Sequence, residues 1–439
     1  MLTNKNITWP IMLPATAKSV LISCILSLQA WGQDGSIGVK SVDSLLAGNE
    51  CETKDATDYI RQWFHREPKT KMGTSSFFIA PVVGSSPSTG FVVGVTLQAA
   101  FQLPESKLSA FQGNVQYTSK RQFSLSLKNN VFGKGNKVFL SGDWSYFNYS
   151  QPTYGLGTNA PNGKLSSYFH FNEVGESDDT LVQFMTYRYI KLHQTLSMQV
   201  KPDFFIGPGV HLDYYTDIND ITLDTAAQHI TSHYAYSRKY GFDPDHYTVV
   251  GVSLNMVYDS RDNMINAYKG IFANVNYRVN QEFLGSEKNS STLWAEFRTY
   301  LGVSKKKPQK VLAFWLAGHF TVSGTVPYLN LPAIGNDQRG KTGRGYTIAR
   351  YRGNQMLYGE TEYRFPISRC TNTLSAVVFA NAVTTSNKDA GVGLFDYLRP
   401  GAGIGLRILF QKKSRMNIQV DYAQGKDSGG LYFGASEVF

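Results

Sequence analysis

Met416-Asn417-Ile418-Gln419-Val420-Asp421-Tyr422 sets an apolar side chain at every second position and an amide or an acid between them. A period of two belongs to an extended strand with one apolar face and one wet face. The same rhythm runs through Ile271, Ala273, Val275, Tyr277 and Val279, interleaved with Phe272, Asn274, Asn276, Arg278 and Asn280. Leu293, Ala295, Phe297 and Leu301 alternate with Trp294, Glu296, Arg298 and Tyr300. Leu357, Gly359, Thr361, Tyr363 and Phe365 alternate with Glu360, Glu362 and Arg364, and Ala402, Ile404, Leu406, Ile408 and Phe410 with Gly403, Gly405 and Arg407. A soluble sandwich also alternates, but its strands are about five or six residues long. Runs of about nine to fourteen residues, as here, match strands that cross a bilayer at a tilt.

From this pattern the expected fold is all-β: a single closed antiparallel 16-stranded transmembrane β-barrel over residues 75–439. Strands are expected at 180–192 and 196–214, with a short turn from His193 to Thr195, and at 430–439 as the closing strand. Long polar loops fall at 150–179, 215–245 and 324–353, and the strand-like Tyr168 to Glu173 is assigned to the first of them. Long loops of such barrels lie outside the cell and short turns in the periplasm. The final Leu431-Tyr432-Phe433-Gly434-Ala435-Ser436-Glu437-Val438-Phe439 reads as a C-terminal recognition strand, with Phe433, Gly434 and Phe439 as its signal.

Composition agrees. Aromatics are 13% of the chain, with 26 Tyr and 27 Phe, as the interfacial girdles of a barrel require. Outside the N-terminus no apolar run approaches the length of a spanning helix. The net charge of +10 comes from scattered Lys and Arg rather than from one stripe, which argues against nucleic acid.

Lys18 precedes an apolar run from Ser19 to Ala30, and Ala30-Trp31-Gly32 supplies small residues before Gln33, so residues 1–32 are expected to be a signal peptide. A competing lipobox, Leu21-Ile22-Ser23-Cys24, is weakened because the apolar run continues past Cys24. Residues 33–74 are expected to form a short periplasmic segment, with an amphipathic turn or two around Asp55 to Trp63, either as a tail or packed near the barrel mouth. Cys51 and Cys370 lie far apart and lack metal-ligand spacing, so they are expected to be stray thiols, with no metal and no cofactor.

Particular residues then point to a group. The C-terminal two thirds resembles the bacterial surface antigen family, which includes the BamA and TamA assembly barrels and the two-partner-secretion transporters. Asp259-Ser260-Arg261-Asp262-Asn263, followed by Gly270, looks like its mid-barrel turn signature. Gly343-Arg344-Gly345-Tyr346, with Ala349 to Gly353 behind it, looks like its loop motif, which folds back into the lumen. Gly359, Glu362 and Arg364 match the strand that follows. The resemblance implies sixteen strands and a loop latch in which Arg344 meets Glu362, because a charge carried into a lumen needs a partner. The family usually sets an acid in the next strand; here Asn381 stands there, able to accept a hydrogen bond from Arg344. The residues before the first strand are too few for a POTRA domain, which marks a short member of the family.

Three functions are weighed. The first is a loop-plugged barrel of the bacterial cell outer membrane that inserts or translocates protein or lipid through a weak seam between its first and last strands. Its expected partners are outer-membrane lipids and lipopolysaccharide, a client or periplasmic protein, and a second copy of itself as a homodimer. The second is a passive diffusion channel, with Arg278, Arg298, Arg364 and Arg407 setting ion preference. The third is a lipase-like enzyme, disfavoured because no Gly-x-Ser-x-Gly elbow accompanies His170, His193, His211, His229, His233 and His246.

Overall fold

A computed structural model describes residues 53–63, 75–86, 90–160, 182–226, 229–337, 340–368 and 370–439. The expected signal peptide, Cys24, Cys51 and the stretch Tyr168 to Glu173 lie outside the described residues. A short helix α1 (Ala56–Trp63) precedes β1 (Ser75–Ser86), β2 (Gly90–Gln102), β3 (Leu108–Thr118), β4 (Phe123–Phe132) and β5 (Val138–Thr153). Then come β6 (Gln183–Lys201), β7 (Phe204–Asp220), helix α2 (Ser232–Tyr240), β8 (Tyr247–Asp259), β9 (Gly270–Asn280), β10 (Ser290–Gly302) and β11 (Val311–Gly324). β12 (Gln355–Pro366), β13 (Leu374–Thr385), β14 (Arg399–Gln411), β15 (Met416–Gly425) and β16 (Ser428–Ala435) complete the order.

Each strand pairs antiparallel with its neighbours in sequence, giving one sheet in the order β1 to β16. The sheet curls into a barrel that is nearly closed, not closed as the sequence led us to expect. Among the described residues no backbone pairing joins β1 to β16, leaving one unsealed seam. The cause is local. β16 stops at Ala435 because Ser436 adopts a φ of 73°, so residues 436–439 turn off the strand direction. The expected closing strand of 430–439 is thus shortened, and Phe439 leaves the sheet to be 2% exposed among inward-facing side chains.

Two further expectations are corrected. His193 to Thr195 is no turn; it lies inside β6, and the chain reverses at Pro202 and Asp203, where Asp203 has a φ of 63°. The polar triplet is satisfied where it stands: His193 Nε2 lies 3.0 Å from Asp213, and Gln194 and Thr195 both donate to the Ser141 carbonyl, at 3.2 and 3.1 Å. Cys370 is not a stray thiol but is disulfide-bonded.

The alternation resolves into two faces. On β12, Tyr358, Glu360, Glu362 and Arg364 are buried inside the barrel, while the residues between them face outward. Long connections, residues 154–182, 221–246 and 325–354, leave from one end, and the opposite end carries mainly short turns. At that second end residues 260–269, between β8 and β9, reach across the opening. Ile265 packs with Phe78 of β1, Ala100 of β2 and Met416 of β15, and Ala435 of β16 borders the same cluster. Asp262 pairs with Arg415 at 2.6 Å, and Asn263 Nδ2 donates to the Ser414 carbonyl at 3.3 Å. β8 and β9 stand in the middle of the sheet order, opposite the seam, so this crossbar spans the barrel's width.

Candidate functional site

Residues 343–346 sit at the tip of the connection between β11 and β12, and Arg344 at 3% exposure is buried against the inward faces of β12 and β15. Its Nη2 donates to both Glu360 and Glu362, its Nε reaches Glu360 Oε2 at 3.4 Å, and its Nη1 donates to Asp421 Oδ2 at 2.9 Å. The guanidinium also lies 3.5 Å from the Phe379 ring centroid. A planar cation with five donors satisfies three carboxylates at once, which an ammonium could not do in this geometry.

Gly345 has a φ of 95°, and a Cβ there would stand 3.0 Å from the backbone of Gln424 and Gly425, so no other residue fits without strain. Its N–H donates to the Tyr432 hydroxyl of β16 at 2.9 Å. Tyr346 donates its hydroxyl to the Pro400 carbonyl, accepts from Lys426 N at 3.1 Å, and packs edge-on against Tyr351. The tip is therefore fastened to β12, β14, β15, β16 and the loop before β16.

The sequence pairing of Arg344 with Glu362 is present, but two details differ. Asn381 does not accept from Arg344; its Nδ2 donates to the Arg344 carbonyl at 3.0 Å and to Glu360 Oε2 at 3.5 Å. The third acid is Asp421 on β15, missed as a partner although it stood in plain view in the alternating run.

A second tier lies beneath. Arg364 pairs with Glu362 at 2.6 Å, and Arg407 pairs with Asp421 and with Glu437 Oε2, the latter at 2.7 Å. Glu437 also accepts from Asn417 at 2.6 Å, and Arg364 donates to the Phe439 carbonyl at 2.9 Å. The Phe439 ring packs 5.3 Å from Trp315 and 6.2 Å from Tyr300. One network of charges thus joins the loop tip to the inturned tail beside the seam. Phe433, by contrast, is exposed on the outer face, and Gly434 faces Gln419 across the β15–β16 ladder.

The mid-barrel motif does not join this cluster. Asp259 holds Arg261 through two bonds, at 2.9 and 2.8 Å, and the Arg261 guanidinium lies over Phe272. Asp262 Oδ1 accepts from the N–H groups of Tyr268 and Lys269. Gly270 has a φ of 109°, and a Cβ there would come within 2.4 Å of the Ser260 carbonyl oxygen. These residues shape the crossbar.

Inside the barrel a cavity of about 430 Å³ is bordered by Lys128, Lys191, Asp213, Arg278 and Lys341, and a second of about 190 Å³ adjoins it. Two of its cations are paired: Lys191 meets Asp143 at 2.7 Å and Arg278 meets Asp213 at 2.6 Å. Arg298 likewise pairs with Glu296. None of the four arginines proposed as selectivity charges is therefore an uncompensated cation. Burial pushes the Lys341 ammonium down to about 8; Asp421 opposes this, and Lys128, Arg344 and Arg407 reinforce it. His211 Nε2 lies 2.7 Å from Ser253 Oγ, but its Nδ1 meets no acid and the pair faces inward, not onto the outer wall. Among the described residues no group of three or more His, Cys, Asp or Glu is placed to hold a metal ion.

A sixteen-stranded antiparallel barrel with an open seam, one of whose long loops is fastened by an arginine to acids on the wall, is a definite class of structure. Residues 110–439 match the Omp85 superfamily domain. The chain belongs to the Omp85 superfamily. Its fold is similar to that of BamA from Haemophilus ducreyi lacking POTRA domains 1-3, with a TM-score of 0.53, 14% identity, and coverage of 83% of this chain and 70% of that one. CdiB from Acinetobacter baumannii matches with a TM-score of 0.47 and 11% identity over 82% of this chain and 59% of the other. No curated protein matches the sequence.

Proposed function

We propose that this barrel resides in the bacterial outer membrane, with its alternate outward side chains in hydrocarbon. On this reading residues 1–32 are an export signal, and the 325–354 loop is a plug inserted in the lumen and latched by Arg344. Its work is to insert or translocate protein or lipid through the seam. The observation that carries this reading is the edge between β1 and β16, across which no backbone pairing runs among the described residues. A free strand edge presents unsatisfied N–H and C=O groups that can template a client strand, and in hydrocarbon such groups are costly until paired. Superfamily membership and the fold shared with BamA support the assignment.

A diffusion channel is the second reading, supported by the polar cavity, but the pairing of Arg278, Arg298, Arg364 and Arg407 with carboxylates leaves little charge to select ions. The test is a cysteine pair that locks β1 to β16 in the purified protein, followed by lipid scrambling and barrel-insertion assays in liposomes. Loss of activity on oxidation, with recovery on reduction of the engineered bond, is expected. Undiminished activity with the seam locked would sink the proposal.

A further inference from the structure

Helix α1 is fixed on one side, and apolar side chains are exposed on another. Asp55 accepts from the Lys412 N–H at 2.8 Å, Asp58 pairs with the Lys412 ammonium at 3.0 Å, and the Lys54 N–H and carbonyl bond to Thr371 and Thr373. These bonds pin the helix to the turns after β12 and β14, at the end that carries the short turns. Another face holds Tyr59, Ile60 and Trp63, with Trp63 four residues after Tyr59 and three after Ile60; Trp63 is 82% exposed.

Nothing in the fold requires such a face to meet water. Isolated exposed apolar residues are ordinary, but Tyr, Ile and Trp aligned on one side of a helix are the composition of an element lying in a headgroup layer. The neighbouring wall continues the surface. Ile404, Leu406 and Ile408 of β14 and Val378 of β13 are exposed outward, and Ile367 extends this surface at the turn beside α1. Lys413 is exposed in the same turn as the pinning Lys412, which puts positive charge at the level where anionic headgroups lie.

We infer that α1 is an interfacial anchor: its Tyr59, Ile60 and Trp63 face seats in the lipid headgroup layer that borders the short-turn end of the barrel. The inference rests on the outer-membrane reading above. It assigns a lipid surface to a segment that the latch and the seam leave without a task, and it sets the depth of the barrel at the β13–β14 side.

The test uses the full chain in vesicles containing lipids brominated either near the headgroup or near the acyl-chain end. The emission lost between wild type and Trp63→Phe isolates Trp63; that lost in Trp144→Phe isolates a tryptophan on the outward face of β5. Trp63 emission should fall about twofold with the shallow label and less with the deep one, as for an interfacial side chain. If Trp144 is quenched while Trp63 is not, α1 faces water and the inference is overturned, with the barrel reading intact. A blue-shifted Trp63 that neither label quenches means a protein surface covers it, a second copy or a partner, and overturns the inference equally. If neither tryptophan is quenched, the membrane reading itself fails.

Discussion

Arg344, Arg364 and Arg407 share a buried cluster with Glu360, Glu362, Asp421 and Glu437. Removing one member of a buried pair strands the other, at a cost of about 3–5 kcal/mol. Arg344→Ala should therefore free the loop tip, and planar-bilayer recordings should change from small flickering currents to larger steady ones; indistinguishable traces would remove the latch. Asn381 explains itself by direction. Its amide donates to two oxygens, so Asn381→Asp replaces a donor with a charge facing the Arg344 carbonyl and Glu360, and should destabilise by about 1–3 kcal/mol in urea unfolding. With burial pushing it down to about 8, the Lys341 ammonium should lose its charge between pH 7 and pH 9. Any anion preference of residual currents should decline across that interval in the wild type and be flat in Lys341→Met. Arg344 was legible because Gly343-Arg344-Gly345-Tyr346 resembles the family's loop motif, which implies a place in the lumen where a charge needs an acid. Asp421 was not, because it lies 77 residues away and alternation reveals which face a residue takes, not which strand a loop will touch.

At the scale of elements, the sixteen strands were readable in order, several of them from a clear period of two. What periodicity could not show was where a strand stops for reasons outside it. His193-Gln194-Thr195 looks like a turn because three polar residues in a row usually meet water, whereas here Asp213 and Ser141 satisfy them in mid-strand. The tail misled in the opposite sense: an aromatic ending in Phe reads as strand, yet Glu437 and Phe439 find stronger partners inside. Phe439→Ala removes a ring buried against Trp315, so a loss of about 3–5 kcal/mol is expected. Spin labels on β1 and β16 should then report a broader or shorter distance distribution as the freed tail takes up strand pairing. An unchanged distribution would show that the tail does not hold the seam apart.

For the whole molecule, the two ends of the barrel differ in what lies across them: the loop tip is fastened to β12 and β14–β16, while residues 260–269 tie β8 and β9 to both lips of the seam. Asp262→Ala with Ile265→Ser should loosen the second tie and raise bilayer conductance without disturbing the Arg344 pairs; a conductance equal to wild type would assign the crossbar to stability alone. Such a beam has a mechanical meaning. A tube cut along one side and braced to its far wall cannot widen at the slit without also changing its cross-section, so lateral opening and the roundness of the bore become a single motion. A long polypeptide entering along the axis from that end would meet the brace first, which leaves the slit as the easier way through.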